Sequence, residues 1–287
     1  MADQKTKIQG KRLRLVGNRT RQVIRLLLHG PKSHNIQARR LPYPVSIKRR
    51  NTEAESVPAG GGSEAFDNAE AIEINRARLA HLESLGLPLE GKRVLDVGCG
   101  VGHLAQFFVA KGCKIACLDA RLENIDELHQ RYSTLEAYVA NVETESLLRL
   151  GTFDIIFAYG LLYHLENPLV ALRNMASVSR ELLLLETMIC DSQLPVLRFE
   201  DESSAFNQAL HGLACRPSPS WVVQALNRIG FQFIYAPDKP PNHRDFQIEW
   251  RNNLDWWREN HPLRCVFVAS RTELHNPRLV QLLGADL

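Results

Sequence analysis

Nowhere in the 287 residues does an uninterrupted apolar run reach the roughly eighteen residues of a membrane-crossing helix. A transmembrane segment is therefore not expected. Nor does the chain open on an apolar stretch with a small-residue cleavage site, so export is not expected and the cytoplasm is the expected compartment. Cysteine is sparse: Cys99, Cys113, Cys117, Cys190, Cys215 and Cys265 include no Cys-x-x-Cys pair. That spacing predicts reduced, buried thiols and no metal centre. Internal repeats are absent. Acids are almost missing from the first fifty residues, where Asp3 stands alone against fourteen Lys and Arg, while the remainder holds 21 bases and 31 acids. A basic arm on an acidic body is the charge pattern of an interaction tail. Such an arm suits RNA phosphates, or an anionic membrane surface through the apolar run 23–28 flanked by arginines, or a transit peptide. A solvated tail with no partner is the plain alternative.

What is present is concentrated in residues 94–102, Val-Leu-Asp-Val-Gly-Cys-Gly-Val-Gly. An apolar strand runs into a turn with glycine at alternate positions, where a backbone free of Cβ can turn tightly and lie against a ligand. The dinucleotide fingerprint needs a small residue five positions after the first glycine. Here that position is His103. The acid at Asp96 also disfavours a pyrophosphate, because two anions would meet at one helix N-terminus. It suits a ligand with positive charge, an amino group or a sulfonium. About twenty residues on, a second strand, 114–118, ends in Asp119. An acid there is placed to hydrogen-bond a ribose diol.

The run VLDVGCGVGHLAQFF…IACLDA resembles the class I S-adenosylmethionine-dependent methyltransferases, and the likeness extends over about residues 66–270. The resemblance implies S-adenosylmethionine as cofactor. It implies that Asp96, Gly98, Cys99, Gly100 and Gly102 surround the methionine part, and that Asp119 and Ala120 meet ribose and adenine. Asn141 and Val142 would face the adenine edge, although the family usually has an acid where Asn141 stands. Tyr159 and Gly160 would lie near the transferable methyl.

Length and alternation give the same organisation. A basic extension, 1–62, is followed by one domain, 63–287, with a glycine-rich joint at 57–63 between them. Ser63 is a candidate cap for a helix over 64–85 that stops at Gly86. Strand-like runs lie at 93–97, 114–118, 135–140, 153–158 and 181–185, with helical stretches at 102–111, 121–131, 168–178 and 219–229. This alternation predicts an α/β, Rossmann-like, doubly wound and mostly parallel sheet. By the resemblance, strands at 231–236 and 264–270 complete seven strands with an antiparallel C-terminal hairpin. Insertions at 187–217 and 237–263 are expected to build binding surface, the first as a lid over the pocket.

Substrate chemistry centres on Tyr159-Gly160-Leu161-Leu162-Tyr163-His164. His164 is either a general base or a loop scaffold bonded to backbone. Glu186, ending the fifth strand, points to the same mouth as a second candidate base. Tyr163 and Arg216 are candidate substrate contacts, Arg216 for an anionic group. Trp250, Trp256 and Trp257 either stack on a planar substrate or bury a helix face, and Asp154 reads as structural. The layout YGLLYHLENP…LLLLET…RPSPSWVVQALNRIGF resembles small-molecule methyltransferases. It also resembles the enzymes that transfer a carboxymethyl group to the tRNA wobble uridine. A small molecule, a sugar or specialised metabolite methylated at oxygen or nitrogen, is the expected substrate and RNA the second. A non-catalytic binding protein of the same fold is the third alternative.

Overall fold

The computed structural model describes residues 64–203, 207–252 and 262–282. The basic extension, the cap at Ser63, and Trp256 and Trp257 lie outside the described residues.

Eight strands form the main sheet: β1 (Arg93–Val97), β2 (Lys114–Asp119), β3 (Glu136–Val139), β4 (Phe153–Tyr159), β5 (Ser179–Met188), β8 (Phe233–Pro237), β9 (Arg264–Ser270) and β10 (Leu279–Gln281). Their spatial order is β10-β8-β9-β5-β4-β1-β2-β3. The five strands from β3 to β5 pair in parallel, and β9, β8 and β10 add on antiparallel. The sheet thus has one strand more than the seven expected. The extra strand, β10, has three residues, too few to carry a period, and it pairs with the outer edge of β8.

Side-chain alternation sends the two strand faces into separate cores. Leu95, Val97, Ile156, Leu183 and Leu185 pack with Leu172 and Met175 of α5 (Pro168–Val178) and with Val222 and Leu226 of α6 (Pro219–Arg228). On the other face, Val94, Ile115, Phe157 and Leu184 pack with Ile74 and Leu82 of α2 (Ala69–Ser84), Phe108 of α3 (Ala105–Ala110) and Leu128 of α4 (Leu122–Arg131). Burial on both faces explains why β5 reads as a continuous leucine run.

Two helix starts differ from expectation for local reasons. The helix expected over 64–85 is broken into α1 (Glu64–Asp67) and α2, because Asn68 caps α2 by accepting from the Ala71 N–H at 2.8 Å. The helix expected from 102 begins at Ala105, since Gly102 has φ of +85° and cannot lie in a right-handed helix. Asp67 then anchors α1, bonding Arg131 at 2.7 Å and His103 at 2.8 Å. The Arg131 bond, followed by the His103 bond, outweighs desolvation and holds the Asp67 carboxyl down at about 2.

The segment between β5 and α6 contains a pair absent from the sequence reading. Strands β6 (Leu197–Asp201) and β7 (Leu213–Pro217) form a separate antiparallel ladder.

Candidate active site

The crossover between β1, which is flanked by β2 and β4, and their following loops opens a cleft at the carboxyl ends of the parallel strands, where ligands sit in open α/β sheets. The glycine turn forms its floor. Gly98 and Cys99 both donate to the Leu118 carbonyl, at 2.7 and 3.1 Å, which ties the turn to the end of β2. Gly98 and Gly100 have φ of +76° and +53°, and a Cβ on Gly100 would stand 2.7 Å from the ring of Phe66 in α1. Side chains other than hydrogen are thus excluded from both positions by conformation and by contact.

One half of the cleft is lined by Asp119, Ala120, Asn141, Val142 and Leu165. The other is lined by Asn75, Arg78, Tyr159, Tyr163, Asp245 and Arg264, with Cys99 at its edge. Phe66, Gly98, Gly100, Gly160 and His164 border both. Gly102 lies deeper, against Leu128.

The two acids differ in how they are satisfied. The Asp119 carboxylate accepts from the Gly100 N–H (3.0 Å), the Arg121 N–H (2.9 Å) and the Asn124 amide (2.9 Å). Burial raises its pKa and these bonds pull it back. Oδ2 takes only one of those bonds, which leaves a lone pair for a hydroxyl. Asp96, by contrast, is 2 % exposed and its Oδ2 has no hydrogen-bond partner. Burial, reinforced by the nearby Asp119 charge, pushes its carboxyl up to about 8. Asp96 lies behind the glycine turn rather than among the lining residues, and a cationic partner close to it would favour its carboxylate form. Asn141 folds its amide oxygen back onto the Glu143 N–H at 2.9 Å, while its own N–H is taken by Glu145 at 2.9 Å.

In the second half, Glu186 is fully buried between two guanidiniums, Arg78 at 2.5 Å and Arg264 at 3.1 Å. Burial alone would raise its carboxyl, but the two arginines hold it below its ordinary value. Arg264 also bonds the Tyr163 hydroxyl at 3.4 Å and lies 4.9 Å from its ring centre. Tyr159 has a buried hydroxyl without a partner, and burial raises its pKa. Arg216 stands apart. It is 3 % exposed and braces the loop by donating to the carbonyls of Tyr163 (3.2 Å) and Cys215 (2.9 Å). Asp154 accepts from the Arg93 N–H at 2.8 Å, a strand-to-strand tie. Trp250 is exposed.

His164 follows Tyr163 in a short 3-10 turn, Leu162–His164, and its Nδ1 lies 2.7 Å from Glu202 Oε2. Burial lowers the imidazole pKa against the raising effect of Glu202, and Arg216 and Arg264 add to the lowering. Sequence reasoning missed Glu202, Asn75, Arg78, Asp245 and Arg264. They sit on α2 (Asn75, Arg78), just after β6 (Glu202), in the 3-10 turn Arg244–Phe246 (Asp245) and on the antiparallel strand β9 (Arg264), with no local motif. Only the chain's return path brings them to the glycine turn.

Sheet order, glycine turn and strand-end acids define an α/β protein with a ligand cleft at its switch point. A family model described as a methyltransferase domain matches residues 69–276, so the chain belongs to the methyltransferases. Among solved structures, the N-terminal domain of EvdMO1 with SAH bound is 24 % identical at a TM-score of 0.51, over 68 % of this chain and 79 % of that one. An S-adenosylmethionine-dependent methyltransferase from Mesorhizobium loti is 18 % identical at a TM-score of 0.50, over 68 % and 98 %. Curated relatives include the tRNA U34 carboxymethyltransferases of Idiomarina loihiensis (28 % identical over 177 residues, 58 % of this chain and 53 % of that one) and of Edwardsiella ictaluri (28 % over 178 residues, 59 % and 52 %). The matched region spans about half the length of those relatives.

The residues present fit S-adenosylmethionine. The unmatched Asp96 carboxyl suits its charged amino acid end, Asp119 keeps an acceptor for the ribose, and the glycine turn leaves room for close backbone approach.

Proposed function

We propose that the protein methylates a small molecule, a sugar or specialised metabolite, at oxygen or nitrogen. The observation that carries this reading is the second half of the cleft. Its cavity volume of about 280 Å³ sits at the small end of ligand pockets, and it is joined to the adenosyl half along His164 and Gly160. The sulfonium supplies the activation. The chain's own task is to align acceptor and methyl and to exclude water. In this reading Asp96 pairs with the amino group, Asp119 takes the ribose, and Ala120, Asn141 and Val142 border the adenine. Tyr159 and Gly160 flank the reacting carbon. His164 faces the acceptor, while Glu186 acts by fixing Arg78 and Arg264 and Arg216 by fixing the Tyr163 loop.

The second reading is tRNA wobble-uridine carboxymethylation, favoured by the activity named for the curated relatives. A carboxymethyl group carries a carboxylate, and Arg78 and Arg264 are the cations on that side of the cleft, both already bonded to Glu186. The separating experiment offers cell-extract fractions label on the methyl of S-adenosylmethionine and, in a parallel arm, label on the carboxymethyl of its carboxylated sulfonium analogue, each with and without nuclease. Label in a low-molecular-weight product that survives nuclease is the expected result. Nuclease-sensitive label would move the assignment to RNA, and absence of both label and cofactor binding would leave a non-catalytic protein.

A further inference from the structure

The inserted strand pair delivers a carboxylate to the one histidine that borders both halves of the cleft. Glu202 follows β6 directly, and its backbone N–H is held by the Gly212 carbonyl at 2.9 Å. Its Oε2 meets His164 Nδ1 at 2.7 Å and also accepts the Ala209 N–H at 3.0 Å. Both side chains are mostly buried, with relative exposures of 16 % for His164 and 13 % for Glu202. The Tyr163 ring lies against the imidazole, 4.0 Å between centroids and tilted by 43°. The imidazole is therefore held at Nδ1 by the carboxylate and packed by the neighbouring ring.

We propose that Glu202 is a positioning residue that makes His164 the base for a hydroxyl acceptor. This rests on the methyltransferase reading above and narrows it to oxygen. A carboxylate at Nδ1 demands a proton there, which fixes the neutral tautomer with an unprotonated Nε2. That nitrogen is the ring's remaining lone pair. An unprotonated amine needs no base, so an oriented imidazole fits an alcohol, phenol or enol. In the transfer, the acceptor O–H proton passes to Nε2 and the oxygen lone pair forms the O–CH3 bond. The S–CH3 bond breaks with its electron pair kept by sulfur, and the imidazolium later yields its proton to solvent. Glu202 stays ionised throughout and balances the imidazolium charge, as the acid of a serine-protease triad does.

The charged groups around the pair agree with this protonation state. Arg216 from β7 and Arg264 from β9 face the imidazole, and Arg216 faces Glu202. Burial works against the Glu202 charge, but the His164 bond, Arg216 and the Ala209 N–H outweigh it and hold the carboxyl below its ordinary value.

Two measurements decide the matter. Long-range proton–nitrogen correlation on ring-labelled full-length protein reads the tautomer without any substrate. Wild type is expected to show protonated Nδ1 and bare Nε2, and Glu202→Ala to show a mixed or reversed tautomer. The labelled-methyl assay on extract fractions is the second arm. Glu202→Ala is expected to lower turnover about 10- to 100-fold and His164→Ala about 100-fold or more, with S-adenosylmethionine affinity unchanged in both. Glu202→Asp should recover part of the rate and shift the acid limb of the pH profile. A wild-type ring protonated on Nε2, or a Glu202→Ala enzyme of normal turnover and pH profile, would overturn the proposal. If wild type transfers no methyl at all, the methyltransferase reading fails, and the tautomer alone still decides whether Glu202 sets the ring.

Discussion

A single unmatched atom, Asp96 Oδ2, has the clearest consequences. With the folded value near 8 and the unfolded value near 4, folding takes up a proton between those pH values. The ligand-free protein therefore gains most from this group in acid and loses that contribution as pH rises towards 8. A cationic ligand group reverses the preference by favouring the carboxylate. Binding of S-adenosylmethionine at pH 7 is expected to expel a proton, and affinity to improve by up to about tenfold per pH unit until about pH 8. Calorimetry in buffers of different ionisation enthalpy checks this; a buffer-independent heat would remove Asp96 from the cofactor site. Glu186 makes the opposite case. Replacing it with Gln leaves Arg78 and Arg264 facing each other in the interior, and removal of one partner from a buried ion pair costs about 3–5 kcal/mol. Urea unfolding measures the loss, and an unchanged midpoint would mean that solvent reaches the pair.

Among the elements, the junction of β7 and α6 depends on one hydroxyl. Ser218 Oγ donates to the Leu194 carbonyl at 2.6 Å and accepts from Val196 (3.1 Å) and Trp221 (3.2 Å), with the residue fully buried. It caps α6 and pins the 194–196 loop together. Ser218→Ala is expected to destabilise the protein by about 2 kcal/mol or more, above the usual cap value because three backbone groups lose their partner. Ser218→Thr should lose less if the methyl is accommodated. Equal stability of Ala and wild type by denaturant titration would show that water replaces the hydroxyl. The same scale explains what could be read in advance. Strand β1 and helix α5 have the bounds expected from pattern, because each carries an apolar period between clear stops, and β9 has those expected from the resemblance. The β6–β7 pair did not register, since β6 has a mixed, half-exposed pattern and joins the buried β7 through a long connection.

At the scale of the whole molecule, cofactor binding couples to stability through a site built from three strand ends. A ligand at about 100 times its Kd adds about 2.7 kcal/mol, which in a domain of this size is a rise of about 5–10 °C in Tm. S-adenosylhomocysteine is expected to produce that shift in wild type, and Asp119→Ala to abolish most of it while keeping the fold. A full shift in the variant would separate Asp119 from ribose binding. The distribution of charge makes a further distinction. If the basic first fifty residues serve RNA, tRNA affinity must fall steeply with salt and vanish on deleting them, and a flat salt response excludes phosphate contacts.

The sequence by itself determined the parallel core of the sheet and the glycine turn with its strand-end acids, because glycine spacing and strand ends act over one turn and one strand. Asp96, Asp119 and the glycines needed no distant partner to be placed. The acceptor half was decided only by tertiary structure. Arg78 and Arg264 meet Glu186 across 108 and 78 residues of sequence, and His164 meets Glu202 across 38. Charge pairing between elements so far apart leaves no period and no spacing, and it exists only once the sheet has closed its hydrophobic faces and carried those side chains to one edge.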